Sequence, residues 1–100
     1  MNKSTKKEID GFIKVCNEMI VLKTRKAGDY GNAWRVGGIQ PLFVEISRKF
    51  YRILINKNKE TLNNETLRDS LIDIAVYAIM SIQLIDEKDT EDKIYKILTK

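Results

Sequence analysis

The feature that most constrains this chain is the clustering of its glycines. Four of the five glycines and the single tryptophan lie within residues 28–38, whose sequence is Gly-Asp-Tyr-Gly-Asn-Ala-Trp-Arg-Val-Gly-Gly. Glycine costs about 0.5–1 kcal/mol relative to alanine inside regular structure, so such a cluster indicates a tight bend or a close approach to a ligand. The segments on either side have helical periodicity. The sequence therefore predicts an all-α fold with one glycine-rich loop.

The composition sets limits on the fold and on the chemistry. One hundred residues that are 43% hydrophobic predict a single helical domain, residues 1–100. The absence of histidine and the single cysteine, Cys16, exclude disulfides, thiol–imidazole catalysis and the usual zinc sites. No apolar run approaches the roughly 20 residues that a membrane span needs, and no signal-peptide core is apparent. We therefore expect a cytoplasmic protein with no membrane partner.

Apolar residues recur at helical spacing in four segments. Thr5 and Glu8 have the spacing of a capping box at the start of the first segment. Pro41 suits the first turn of the second segment, because proline has no N–H to donate. The pattern predicts a small bundle of about four helices. The predicted helices cover residues 5–25, 41–57, 65–87 and 90–100.

The third predicted helix has apolar residues on two faces. Its inward stripe is assigned to residues that include Leu71, Ala78 and Ile82, which places Val76 and Met80 on the opposite side. An exposed apolar patch is disfavoured in a monomer, so a second copy of the chain is expected to cover these two residues, giving a homo-oligomer. The alternative is that the fourth helix folds back over them.

Acidic residues line one face of the third helix. Carboxylates at i,i+4 repel each other, so their grouping needs a cation, either a side chain or a metal ion. A flank of the second helix that includes Lys49 can face these acids. Magnesium sites commonly use one or two carboxylates and leave the other positions to water and phosphates. The predicted Mg²⁺ ligands are Glu45, Glu65, Asp69 and Asp73, and the alternative is salt bridging from Arg48, Arg52 or Arg68.

The glycine-rich loop and its neighbours offer groups that recognise phosphate and a base. Backbone N–H groups, Lys26 and Arg35 are phosphate donors, and Tyr30 or Trp34 can stack on a base. A nucleotide is the ligand class that uses all of these together. Nucleic acid is disfavoured because the basic residues are dispersed along the chain. The predicted ligand-binding residues are Lys26, Asp29, Tyr30, Trp34, Arg35, Lys49 and Arg52; the alternative is a plain helix connection whose aromatics close the core.

Three blocks of the sequence resemble one protein family. They are KAGDYGNAWR at 26–35, EISRKFYRI at 45–53 and NETLRDSLIDIAVYA at 64–78. In this order they resemble the small helical nucleotide-modification-associated domain family of phages and bacteria, over roughly residues 20–85. That family is more remotely similar to the MazG-like all-α nucleoside triphosphate pyrophosphatases. The resemblance implies an oligomerising helical bundle that handles nucleotides near helix-borne acids.

The chain departs from the pyrophosphatase pattern on its second helix. There the pyrophosphatases carry an acidic pair, whereas this chain has Glu45 followed by Arg48 and Lys49. The resemblance therefore implies binding without turnover, such as sequestration of a nucleotide or a nucleotide-derived immune signal in an anti-defence role. Two alternatives stay open: a Mg²⁺-dependent pyrophosphatase of MazG-like type, and a protein-interaction module that uses Val76 and Met80.

Overall fold

The structure, a computed structural model, describes residues 1–31, 33–56 and 64–99, except the side chains of residues 29–30 and 64–66. These ranges contain three α-helices, which are α1 (Lys3–Tyr30), α2 (Gln40–Asn56) and α3 (Asn64–Leu98), and a 3₁₀ turn, Ala33–Arg35. No strand occurs in these ranges, so the all-α prediction is confirmed. The predicted count of four helices is wrong. None of the described helices combines the length and apolar content that a bilayer crossing requires.

The ends of α1 lie outside their predicted positions. Asn2 is the N-cap, and its Oδ1 accepts the backbone N–H of Thr5 at 2.8 Å. The predicted capping box at Thr5 is wrong because Asn2 already satisfies that donor. The helix continues five residues beyond the predicted end at 25. It stops at Gly31, which has a φ of 58° and donates its N–H to the Ala27 carbonyl at 2.9 Å.

Helix α3 is one uninterrupted helix of 35 residues. The predicted break between residues 87 and 90 does not occur, because this stretch contains no glycine or proline. Thr90, expected to start a new helix, instead donates its hydroxyl to the Asp86 carbonyl at 3.1 Å within α3.

The backbone forms two compact units, Met1–Trp34 and Arg35–Lys100. The first unit contains α1, whose apolar side chains are largely exposed, Phe12 at 70%. In the second unit α2 packs against α3. The prediction of a single domain stays a prediction.

The α2–α3 pair is an antiparallel hairpin. Lys49 contacts Asp73, whereas Arg35, earlier in the chain, contacts Glu87, later in the chain. The two segments therefore run in opposite directions. The buried apolar residues of the described chain all belong to this pair: Leu42 on α2, and Ile72 and Met80 on α3, each exposed by 6% or less.

The predicted inward and outward faces of α3 are partly interchanged. Met80 is buried and Val76 is half-buried, whereas Leu71 and Ile82, predicted to be inward, are 51% and 56% exposed. Both faces of α3 are apolar, so the period of the pattern does not decide which one meets α2. The predicted partner-binding face formed by Val76 and Met80 is therefore wrong.

Candidate ligand-binding site

A glycine turn positions Arg35 at the start of the second unit. Gly37 and Gly38 have φ values of 87° and 71°, a region that residues with a Cβ rarely adopt. Gly38 donates its N–H to the Arg35 carbonyl at 3.1 Å, and a Cβ on Gly37 would lie 2.9 Å from Cγ of Pro41. The turn therefore requires glycine and leads directly from Arg35 into α2.

Arg35 forms a two-point ion pair with Glu87 of α3. Its Nε–H donates to Oε2 at 3.1 Å and its Nη2–H donates to Oε1 at 2.8 Å. The side chains remain 36% and 43% exposed. The hydrogen bond from Arg35 lowers the pKa of Glu87, and the bond to Glu87 raises the pKa of Arg35; partial desolvation opposes both changes. The guanidinium is thus held in place and still reached by solvent.

This ion pair lies at an open depression of about 650 Å³. The volume falls within the range of small-molecule sites. Its wall combines an apolar portion with charges of both signs. The lining residues are Arg35, Gly38, Ile39, Leu84, Ile85, Glu87, Lys88, Glu91 and Asp92. The depression thus combines the size of a small-molecule site with an apolar portion and the Arg35 guanidinium, and its charged groups are three carboxylates, Glu87, Glu91 and Asp92, and two cations, Arg35 and Lys88.

A second ion pair joins α2 and α3 farther along the hairpin. Lys49 Nζ lies 3.0 Å from Asp73 Oδ2, and these side chains are 21% and 27% exposed. On α2, Arg48 donates to Glu45 at 2.6 Å. Fourteen residues of α3 separate Asp73 from Glu87, which is about 21 Å of helix. Within the second unit, Arg35 and Asp73 therefore do not share one site.

Among the predicted metal ligands, the structure brings each described acid to a different environment. Glu45 pairs with Arg48, Asp73 pairs with Lys49, and Asp69 is exposed. The side chain of Glu65 lies outside the described residues. Within the part of the chain that the structure describes, no group of three or more acidic or thiol side chains converges to hold a metal ion. The Mg²⁺ site stays a prediction.

The other predicted ligand-binding residues are distributed over both units. In the first unit, Lys23 Nζ lies 4.3 Å from the centre of the Trp34 ring, a cation–π contact. Lys26 is exposed on α1, and Arg52 is exposed on α2. The side chains of Asp29 and Tyr30 lie outside the described residues. The role of each as a ligand contact stays a prediction.

Glu87 is the residue that sequence reasoning missed. It was placed only at the end of a predicted helix, although it lies fourteen residues beyond Asp73, close to a whole number of helical turns. That spacing puts both carboxylates on the same side of a continuous helix. Because the predicted helix 65–87 already contains both residues, this spacing was the available signal for the second carboxylate.

The fold and this site define an all-helical class of protein, in which a helical hairpin carries a ligand-sized depression at its open end. Residues 26–85 match the family described as nucleotide modification associated domain 1. Because the match covers more than half of the chain, the chain belongs to this family, and the predicted family resemblance is confirmed. No curated protein and no solved structure gives a significant match. The remoter similarity to MazG-like enzymes stays a prediction.

Proposed function

We propose that the protein binds a nucleotide or a nucleotide-derived signal molecule and retains it unchanged. The family match over residues 26–85 carries this proposal, because it associates the segment that contains Arg35 with nucleotide chemistry. In a phage, retention of a nucleotide-derived immune signal would be an anti-defence function.

The depression beside Arg35 supports the proposal. A guanidinium fork matches two oxygens of a phosphate, and Arg35 carries such a fork, which in the structure pairs with Glu87 while more than a third of the side chain stays exposed. Ile39, Leu84 and Ile85 supply the apolar surface on which a base or ribose packs. Lys26, Tyr30 and Trp34 belong to the first unit, and their roles as ligand contacts stay predictions.

The surroundings of the predicted Mg²⁺ ligands favour retention over hydrolysis. Lys49 and Arg48 already neutralise Asp73 and Glu45, respectively. Two-metal hydrolysis needs several carboxylates directed at the ions, and here two of them are directed at side-chain cations. A Mg²⁺ ion bound with the nucleotide is retained in the proposal as a partner of the phosphates.

The identity of the ligand, and whether it is retained unchanged, are tested by releasing it from the purified protein. The protein is incubated with mono-, di-, tri- and cyclic nucleotides, with Mg²⁺ or with a chelator, then desalted, denatured and analysed by mass spectrometry. Recovery of an unchanged nucleotide supports retention, whereas pyrophosphate and a cleaved nucleotide indicate the pyrophosphatase. Retention of no member of the panel contradicts the proposal.

Two variants locate the binding. Arg35→Ala is expected to reduce retention about tenfold or more, because a charge-assisted two-point contact is lost. Arg25→Ala is the matched control, since Arg25 is an exposed arginine on α1 outside the family match. Equal retention by the two variants would remove Arg35 from the site.

We further propose that the protein assembles with copies of itself through the outward face of α3. Leu71, Ala75, Ala78 and Ile82 follow one another at intervals of four, three and four residues, the spacing of a coiled-coil seam. Leu71 and Ile82 are about half exposed. A second copy of this helix is the partner with matching spacing.

Sedimentation velocity tests this assembly. Ile82→Glu places a charge in the seam and is expected to lower the sedimenting mass to that of one chain. Gln83→Glu adds the same charge at the neighbouring exposed position and is expected to leave the mass unchanged. A monomeric wild-type protein would contradict the proposal.

A further inference from the structure

The Arg35–Glu87 pair leaves the phosphate-binding groups of Arg35 occupied. The carboxylate takes both Nε–H and Nη2–H, which are the donors that a guanidinium offers to two phosphate oxygens. A phosphate therefore reaches these donors only in molecules where Glu87 has moved away.

We propose that Glu87 acts as an internal competitor that sets the affinity of the depression for anionic ligands, an inference that rests on the proposed nucleotide binding. Both residues line the depression and both remain partly exposed, so the carboxylate leaves toward solvent without unpacking the hairpin. The apparent affinity of such a site falls in proportion to the fraction of molecules in which the competitor is displaced. If one molecule in about ten has Arg35 open, binding is weakened about tenfold.

The competitor weakens every ligand that needs Arg35 by the same factor, so the preference for a nucleotide over an isolated anion comes from the apolar surface of the depression. An isolated anion only replaces the two carboxylate oxygens of Glu87 with two oxygens of its own at Arg35, and it makes no further contact. A nucleotide also covers the apolar surface of Ile39, Leu84 and Ile85, a contact that an isolated anion does not make. Glu87 thus reduces occupancy by simple anions.

The probe for the test is inorganic pyrophosphate, which has no base and reports on the anion site alone. The Arg35 Nε–Hε resonance is followed by nuclear magnetic resonance during titration. Glu87→Gln removes the charge with little change of shape and is expected to bind pyrophosphate about tenfold more tightly than the wild type. Glu91→Gln removes one negative charge from the same wall without a contact to Arg35 in the structure, and is expected to change the affinity less than about threefold.

A double variant separates competition from general electrostatics. In Arg35→Ala, the further change Glu87→Gln is expected to give no gain, because there is no guanidinium left to release; the probe there is the backbone amide of Gly38. Equal gains from Glu87→Gln and Glu91→Gln would overturn the proposal, as would a full gain in the Arg35→Ala background. Absence of any pyrophosphate-dependent shift in Glu87→Gln would overturn it as well.

The two proposals fail in different ways. If the wild type retains a nucleotide through Arg35 but Glu87→Gln binds pyrophosphate no better, only the competitor is excluded. If neither protein retains any nucleotide, the proposed function itself fails. Thermal melting of every variant, monitored by circular dichroism, confirms that the helices are intact in each comparison.

Discussion

The two ion pairs of the hairpin have the same chemistry and different surroundings. Lys49–Asp73 lies between α2 and α3 with side chains exposed by about a quarter, and it is made by one ammonium contact. Arg35–Glu87 lies beside a glycine turn and an open depression, is more exposed, and is made by two hydrogen bonds. Both join a cation from the α2 side to a carboxylate of α3.

The difference shows why charge type alone does not identify a binding site. A pair largely enclosed by two helices is not readily exchanged for a ligand, because separation leaves a desolvated charge. A pair that faces a depression is exchanged at low cost, because water solvates the displaced group. We therefore expect Lys49–Asp73 to contribute more to stability, whereas under the proposed function Arg35–Glu87 is the pair that a ligand displaces.

The largest expected effect on the free energy of unfolding comes from the apolar packing between α2 and α3, which lies between the two ion pairs. Met80 is 6% exposed and lies on α3 between Asp73 and Glu87. Met80→Ala is expected to lower the free energy of unfolding by about 2–4 kcal/mol, because a buried side chain is removed. Urea denaturation measures the change. A greater loss in either ion-pair variant would show that polar contacts, rather than this packing, dominate the hairpin.

The stability of the open end of the hairpin is expected to depend on the positive φ angles of its glycine turn. Gly37→Ala forces a Cβ to within 2.9 Å of Pro41 at a φ of 87° and is expected to cost about 2 kcal/mol. Gly38→Ala is the matched control: its φ is 71° but no atom lies within 4 Å of the added Cβ, so about 1 kcal/mol is expected. Equal losses in urea denaturation would mean that the contact with Pro41 has no energetic weight.

The enclosed ion pair is expected to matter more to stability than the open one. Lys49→Ala leaves Asp73 largely enclosed and without this contact, for an expected loss of roughly 1–2 kcal/mol. Arg35→Ala leaves a carboxylate that water can solvate, so its melting temperature is expected to stay closer to that of the wild type. A lower melting temperature for Arg35→Ala than for Lys49→Ala would contradict the expected difference between the two ion pairs.

The smallest expected effect is the pH dependence of the open pair. Arg35 lowers the pKa of Glu87 in the folded protein, so the stabilisation is present above the unfolded pKa and is lost as the pH falls through the folded pKa. The difference in melting temperature between wild type and Glu87→Gln should therefore shrink between about pH 7 and about pH 3. A difference that grows on acidification would contradict this assignment.

The sequence was sufficient where local rules decide the structure. Helical spacing predicted α1 and α2 and the helical character of α3, which it divided in two, and the glycine cluster predicted the turn now seen at Gly37 and Gly38. Lys49, placed on a flank that can face the acids, does contact Asp73. These features depend on neighbouring residues or on the side of a helix, which the pattern reveals directly.

The remaining features depend on tertiary contacts. Helix α3 is apolar on both faces, so only its packing with α2 determines that Met80 is buried and Ile82 exposed. The contact of Arg35 with Glu87 joins residues 52 apart in sequence. It follows from the register of the hairpin and from the continuity of α3, neither of which local spacing specifies.

The continuity of α3 also has a mechanical consequence for the depression. At 1.5 Å per residue its 35 residues form a rod of about 52 Å, roughly twice the length of the 17 residues of α2. Arg35 lies before the first residue of α2, and it contacts Glu87. Glu87 and Lys88, which form one rim of the depression, therefore lie on the part of α3 that extends beyond α2. From Glu87 to its end at Leu98 the helix has 12 residues, a length at which an isolated helix is marginal in water, so the rim depends for its stiffness on the segment anchored at Ile72 and Met80. Under the proposed function, loosening this anchor, which lies about two to four helical turns from Glu87, would weaken ligand binding at the rim.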